Sequence, residues 1–105
     1  MIIQINTDSN ITVNGELAEQ IRNQVRNSLE RYGDQITRVE AHLSDENSNK
    51  KSGTEDKRCL LEVRLAGLRP IAVSHQAETV EQAMGGAVDQ LVSLIDTTLG
   101  KLDNR

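Results

Sequence analysis

The chain has 105 residues, which is enough for one hydrophobic core and too few for two, so a single domain over 1–105 is expected. Sixteen acidic against 12 basic residues leave a net charge of −4, which excludes a general attraction to phosphate and makes any nucleic-acid binding depend on a local basic patch. Tyr32 is the only residue of the Phe, Trp and Tyr set, which weakens any reading based on base stacking, and Cys59 is the only cysteine, which excludes an internal disulfide.

From the N-terminus, "MIIQIN" sets Ile3 and Ile5 against Gln4 and Asn6, the alternation of a half-buried strand. Turn formers follow, and Asn14 is placed to cap a helix with Glu16 near its positive end. Leu17, Ile21, Val25, Leu29 and Tyr32 then keep helical spacing, and Gly33 is the expected stop. In "ITRVEAHLS" the side chains Val39, Ala41 and Leu43 share one face, while Arg38, Glu40, His42 and Ser44 share the other. Residues 45–57 contain nothing apolar and read as a flexible solvated loop. "RCLLEVRLAG" directs Cys59, Leu61, Val63 and Leu65 inward and Arg58, Glu62 and Arg64 outward. "LRPIAVSH" supplies a last strand after the turn at Gly67, with Pro70 suited to its start or to a sheet edge.

Thr79, with Gln82 three residues on, opens the final helix in a capping-box pattern. Its apolar stripe is expected to be Val80, Ala83, Met84, Ala87, Val88, Leu91, Leu94, Ile95 and Thr98. Gly85 and Gly86 inside a helix are costly unless they form a thin surface, so close approach to the sheet or to the other helix is expected there. The order β-α-β-β-β-α, with one apolar sheet face and two apolar helical stripes, predicts an α+β fold: a four-stranded sheet with both helices packed on one face.

No set of residues carries a reaction. By parity Cys59 points inward and His42 outward, His75 lies elsewhere, and no metal-ligand spacing occurs, so neither a catalytic site, a metal site nor a cofactor is expected. The carboxylates Glu78, Glu81, Asp89 and Asp96 read as the polar side of a helix. The remaining candidates are cations. Arg22 and Arg26 lie one turn apart on the first helix, while Arg38, Arg58 and Arg64 project from the solvent face of the sheet. They suit phosphate contact. The plainer alternative is a solvated face on which Glu40 and Glu62 pair with these arginines across strands.

The element order, together with "IQINTDSNITVNGELAEQI", "LLEVRLAG" and "PIAVSHQAETVEQAMGGAVDQL", resembles the ribosome hibernation-promoting and ribosome-associated inhibitor proteins, also called sigma-54 modulation proteins. Ala83, Ala87, Val88, Asp89 and Leu91 match the pattern of that family's second helix, and Met84 replaces an isoleucine. The resemblance implies a translation-inhibiting stress factor that binds the small ribosomal subunit and its 16S rRNA during dormancy. The departures concern charge. Glu81, Gly85 and Gln90 stand where the family has an aromatic, an aspartate and a lysine, and Gln24 and Asn27 stand where lysines are frequent. No Lys or Arg occurs between Pro70 and Gly100. The dimerising domain that longer relatives carry after the second helix is not expected here.

The expectation is therefore a non-enzymatic, cytoplasmic ribosome-associated factor of short form, using Arg22, Arg26, Arg38, Arg58 and Arg64 for RNA and binding less tightly than its basic relatives. Neither DNA nor a membrane is an expected partner. The alternative is a diverged member that binds a protein instead.

Overall fold

The computed structural model describes residues 1–8, 11–45 and 56–103, with residues 102 and 103 described by backbone alone. The elements are β1 (Ile2–Thr7), α1 (Gly15–Leu29), a 3-10 turn (Glu30–Gln35), β2 (Ile36–Asp45), β3 (Lys57–Leu65), β4 (Ile71–Ala77) and α2 (Val80–Asp103). One mixed sheet has the spatial order β1-β2-β3-β4. β1 runs parallel to β2, a pairing that requires a crossover, and α1 is that crossover. The other neighbours pair antiparallel.

Register puts the apolar side chains on one face. Val39 lies opposite Val63, Ala41 opposite Leu61 and Leu43 opposite Cys59, and Ile3 and Ile5 extend the row onto β1. Ile21, Val25 and Leu29 of α1 join Met84, Leu91 and Ile95 of α2 in the same core. α1 packs beside β1 and against α2, while α2 covers β3 and β4, so both helices lie on this face as expected. The opposite face carries Arg38, Glu40, His42, Glu62 and Arg64 and has no helix over it.

Both helix starts follow their sequence signals. The Asn14 side chain accepts from Leu17 N at 2.8 Å, and Thr79 Oγ1 accepts from Gln82 N at 3.1 Å. The end of the first helix differs from expectation. α1 stops at Leu29, Tyr32 lies in the 3-10 turn, and the chain reverses at Gly33, whose φ of 57° favours glycine. Tyr32 is anchored there by a tertiary contact. Its hydroxyl donates to Asp96 Oδ1 at 2.6 Å, and Arg31 Nη2 donates to the Tyr32 oxygen at 2.7 Å and to Asp96 Oδ2 at 2.9 Å.

The α2 stripe needs two corrections. Leu94 is 38 % exposed and Thr98 is only half-buried, whereas Val92 and Leu99 pack against the core. At about 100° per residue Leu94 shares its angle with the fully buried Ala83 and Ala87, so its exposure follows from its place further along the helix, while Val92 and Leu99 fall on the flank that faces α1 at Gly85. The stripe predicts which side is apolar, but the position of the second helix decides which flank is covered.

The flexible loop expected over 45–57 falls largely on residues 46–55, outside the described residues. At its two ends Lys57 Nζ lies 3.4 Å from Asp45 Oδ2 and 3.1 Å from Asp56 Oδ2.

Candidate functional site

The five arginines do not form one patch. Arg22 and Arg26 stand on the helix layer. At 3.6 residues per turn each lies about 160° around α1 from Gln24. Gln24 Nε2 comes within 3.8 Å of a Cβ built at Gly85 of α2, so both arginines sit on the flank turned away from α2. Each is engaged locally. Arg22 Nη1 meets Glu19 Oε1 at 3.3 Å, and Arg26 Nη1 donates to Asn23 Oδ1 at 3.1 Å.

Arg38 and Arg64 occupy the open sheet face, directly opposite each other in the β2–β3 register. Arg38 Nε donates to Glu40 Oε2 at 3.3 Å, and its Nη2 donates to Gln4 Oε1 of β1. Arg64 is exposed and its guanidinium has no partner among the described residues. Arg58 sits on the same face opposite Ser44 and Gln76, at the far end of the strand from Arg64. Six residues of strand separate them, roughly 20 Å.

The expected cross-strand pairing of arginines with glutamates is not the arrangement found. Glu40 lies opposite Glu62, and the ion pair of Arg38 is with Glu40 on its own strand. His42 stands beside the two acids, its Nε2 3.5 Å from Glu62 Oε1 and 3.8 Å from Glu40 Oε1. That nitrogen is buried and makes no hydrogen bond, and Nδ1 lies 3.5 Å from Asn6 Nδ2. The open face is therefore zoned along the strands: arginines at one end, a carboxylate pair with an imidazole in the middle, and Arg58 at the other end.

Sequence reasoning passed over Arg69. It lies in the β3–β4 connection, at the end of the sheet where Ala66 N donates to Gln35 O at 2.8 Å, the end that carries Arg38 and Arg64. It is exposed and unpartnered among the described residues. The signal was a basic residue in a turn next to a strand end already bearing Arg64.

The remaining polar groups do not assemble a reactive centre. Cys59 is fully buried with its Sγ 3.6 Å from Met84 Sδ, and burial pushes its thiol up to about 12. An unreactive packed thiol results. His75 lies on the helix side of β4, with Nδ1 3.1 Å from Gln90 Nε2. Among the described residues no group of three His, Cys, Asp or Glu side chains is placed to hold a metal, and no helix is long and apolar enough to cross a membrane.

A mixed four-stranded sheet with two helices on one face and an arginine-bearing open face defines a small α+β domain with a polar, helix-free surface. Over residues 3–103 the chain matches the model of the sigma 54 modulation protein / S30EA ribosomal protein family, and it belongs to that family. Its fold is similar to that of the N-terminal domain of Protein Y from Thermus thermophilus, with a TM-score of 0.73 and 19% identity over 93% of this chain and 99% of that one. It is also similar to a ribosomal subunit interface protein from Coxiella burnetii, with a TM-score of 0.65 and 18% identity over all of both chains. No curated protein sequence matches the chain.

Proposed function

We propose that this protein is a non-enzymatic, cytoplasmic factor that binds the small ribosomal subunit through 16S rRNA and inhibits translation in dormancy. Family membership supports ribosome association, as does the likeness in fold to a protein described as a ribosomal subunit interface protein. The observation that carries the reading is the open sheet face, where Arg38 and Arg64 stand side by side and Arg64 is unengaged. An exposed guanidinium is suited to bidentate hydrogen bonding with phosphate. Arg22, Arg26 and Arg58 are the other candidate contacts. The net charge of −4 opposes approach to RNA, so binding is weaker and more easily lost to salt than in a basic protein.

Cosedimentation with ribosomes and isolated small subunits over a series of salt concentrations tests this reading, together with inhibition of translation in a cell extract. Binding that weakens steeply with salt supports it, and no sedimentation at low salt overturns it. A second reading, a diverged member that binds a protein, draws on the cation-free surface of α2 around Leu94. There the exposed Leu94 sits among Asp89, Gln90, Ser93 and Thr97 in a stretch without cations. Salt-insensitive binding to a protein partner, without ribosome binding, is its expected signature.

A further inference from the structure

We infer that Arg38 and Arg64 form a two-arginine clamp on a single RNA phosphodiester, at one end of the open sheet face. The inference rests on the ribosome-binding reading and assigns its central contact.

Side chains directly opposite in an antiparallel pair have Cβ atoms about 5 Å apart, and like charges placed there repel. Arg38 and Arg64 are such a pair. Arg38 is held by Glu40 and Gln4, which use its Nε–H and one Nη2–H, leaving three of its five donors for a ligand. Arg64 has all five unengaged among the described residues. A phosphodiester between the two guanidinium groups accepts from both and removes their repulsion.

The rest of the face limits the site to this end. The next cross-strand pair is Glu40 with Glu62, which repels an anion. At the opposite end Arg58 lies across from Ser44 and Gln76, so no second arginine stands opposite it in the register. Arg22 and Arg26 belong to the helix layer on the other side of the sheet and are occupied by Glu19 and Asn23. α2 offers little in their place, because its one cation is Lys101 in the last turn.

The test is small-subunit binding at several salt concentrations for the wild type, Arg64→Gln, Arg38→Gln/Arg64→Gln and Arg22→Gln/Arg26→Gln, each checked for native melting. Arg64→Gln breaks no side-chain hydrogen bond or ion pair among the described residues, so its effect on binding reads chiefly the ligand contact. It is expected to weaken binding about tenfold and lower the slope of log affinity against log salt by roughly one. The Arg38/Arg64 variant is expected to lower the slope by roughly two, and Arg22→Gln/Arg26→Gln to change it less than Arg64→Gln alone. Arg64→Lys keeps the charge but loses the planar fork, and is expected to fall between wild type and Arg64→Gln. If Arg22→Gln/Arg26→Gln abolishes binding while the Arg38/Arg64 variant binds normally, the clamp is overturned and the ribosome reading stands. If the wild type itself does not bind subunits at low salt, that reading and the clamp fall together.

Discussion

The imidazole of His75 on β4 fills the space that a side chain at Gly86 of α2 would need. A Cβ there would come within 2.6 Å of His75 Cγ and nearer still to Cδ2 and Nε2. Gly85, one residue earlier, faces the other helix, where a Cβ would meet Gln24 Nε2 at an ordinary 3.8 Å. The adjacent glycines thus serve different neighbours, and only Gly86 is required by close approach.

Gly85→Ala is therefore expected to stabilise the protein by up to about 1 kcal/mol through helix propensity. Gly86→Ala is expected to destabilise it, because the ring must leave its place and its contact with Gln90. In a His75→Ala background the same Gly86→Ala change should become neutral or stabilising. Urea denaturation of the four variants in that cycle measures the coupling. Equal effects of Gly86→Ala in both backgrounds would refute the steric account.

Leu91 is fully buried and Leu94 is 38 % exposed, although both belong to the apolar stripe expected from spacing. Leu91→Asp places an unpaired charge in the core and is expected to cost on the order of 4 kcal/mol, enough to unfold a marginal domain. Leu94→Asp is expected to leave the melting temperature within a few degrees of wild type. Thermal melting by circular dichroism separates the two outcomes.

This contrast shows where sequence reading succeeds. Strand parity placed Val39, Ala41, Leu43, Cys59, Leu61, Val63 and Leu65 correctly, because a period of two leaves a side chain only two faces. Helical spacing defines a broad arc instead, and which neighbour covers each flank is a tertiary fact, so Leu94 fits the stripe yet is exposed, while Val92 and Leu99 lie off it yet pack against the core. The same holds for charge. Spacing put Arg38 and Arg64 on the open face, but the β2–β3 register alone made them opposite neighbours and set Glu40 against Glu62. Tyr32 fitted the helical stripe, yet Asp96, far along the chain, is what holds it.

Tyr32 is the only tyrosine and there is no tryptophan, so its ionisation can be followed directly by absorbance. Burial, reinforced by its hydrogen bond to Asp96, raises its pKa above the ordinary 10.0, against the opposing effect of Arg31. The folded state favours the neutral phenol. Its stabilising contribution is complete below the unfolded value near ~10 and is lost as pH rises through the higher folded value. The phenolate midpoint is expected above that of the urea-unfolded chain. Tyr32→Phe should lose roughly 1 kcal/mol at neutral pH and show a shallower alkaline decline in stability. A midpoint equal to the unfolded one would contradict the hydrogen-bonded burial of the hydroxyl.

The Cys59 thiol, raised to about 12 by burial, offers almost no thiolate at neutral pH. Thiol-specific reagents are expected to label it only at the rate at which the domain opens. Leu91→Asp should then expose it at once. Rapid labelling of the native wild type would show the core around Cys59 and Met84 to be open.

The carboxylates beside the arginine end offer a complementary test of binding. Glu62 lies two residues along β3 from Arg64 on the same face, about 7 Å away, and opposite Glu40. Its charge faces any phosphate held by Arg64, a repulsion of about 0.6 kcal/mol at that distance in water. Removing it also relieves the cross-strand pairing of like charges, at the expense of the contact with His42 Nε2. Glu62→Gln is thus expected to leave stability within about 0.5 kcal/mol of wild type and to tighten small-subunit binding about threefold. Glu40→Gln should tighten binding further, since it also releases the Nε–H of Arg38. Subunit titrations at low salt, where screening is weakest, give the largest separation between these variants. If both substitutions weaken binding instead, the acids hold the arginines in place for the ligand and do not oppose it.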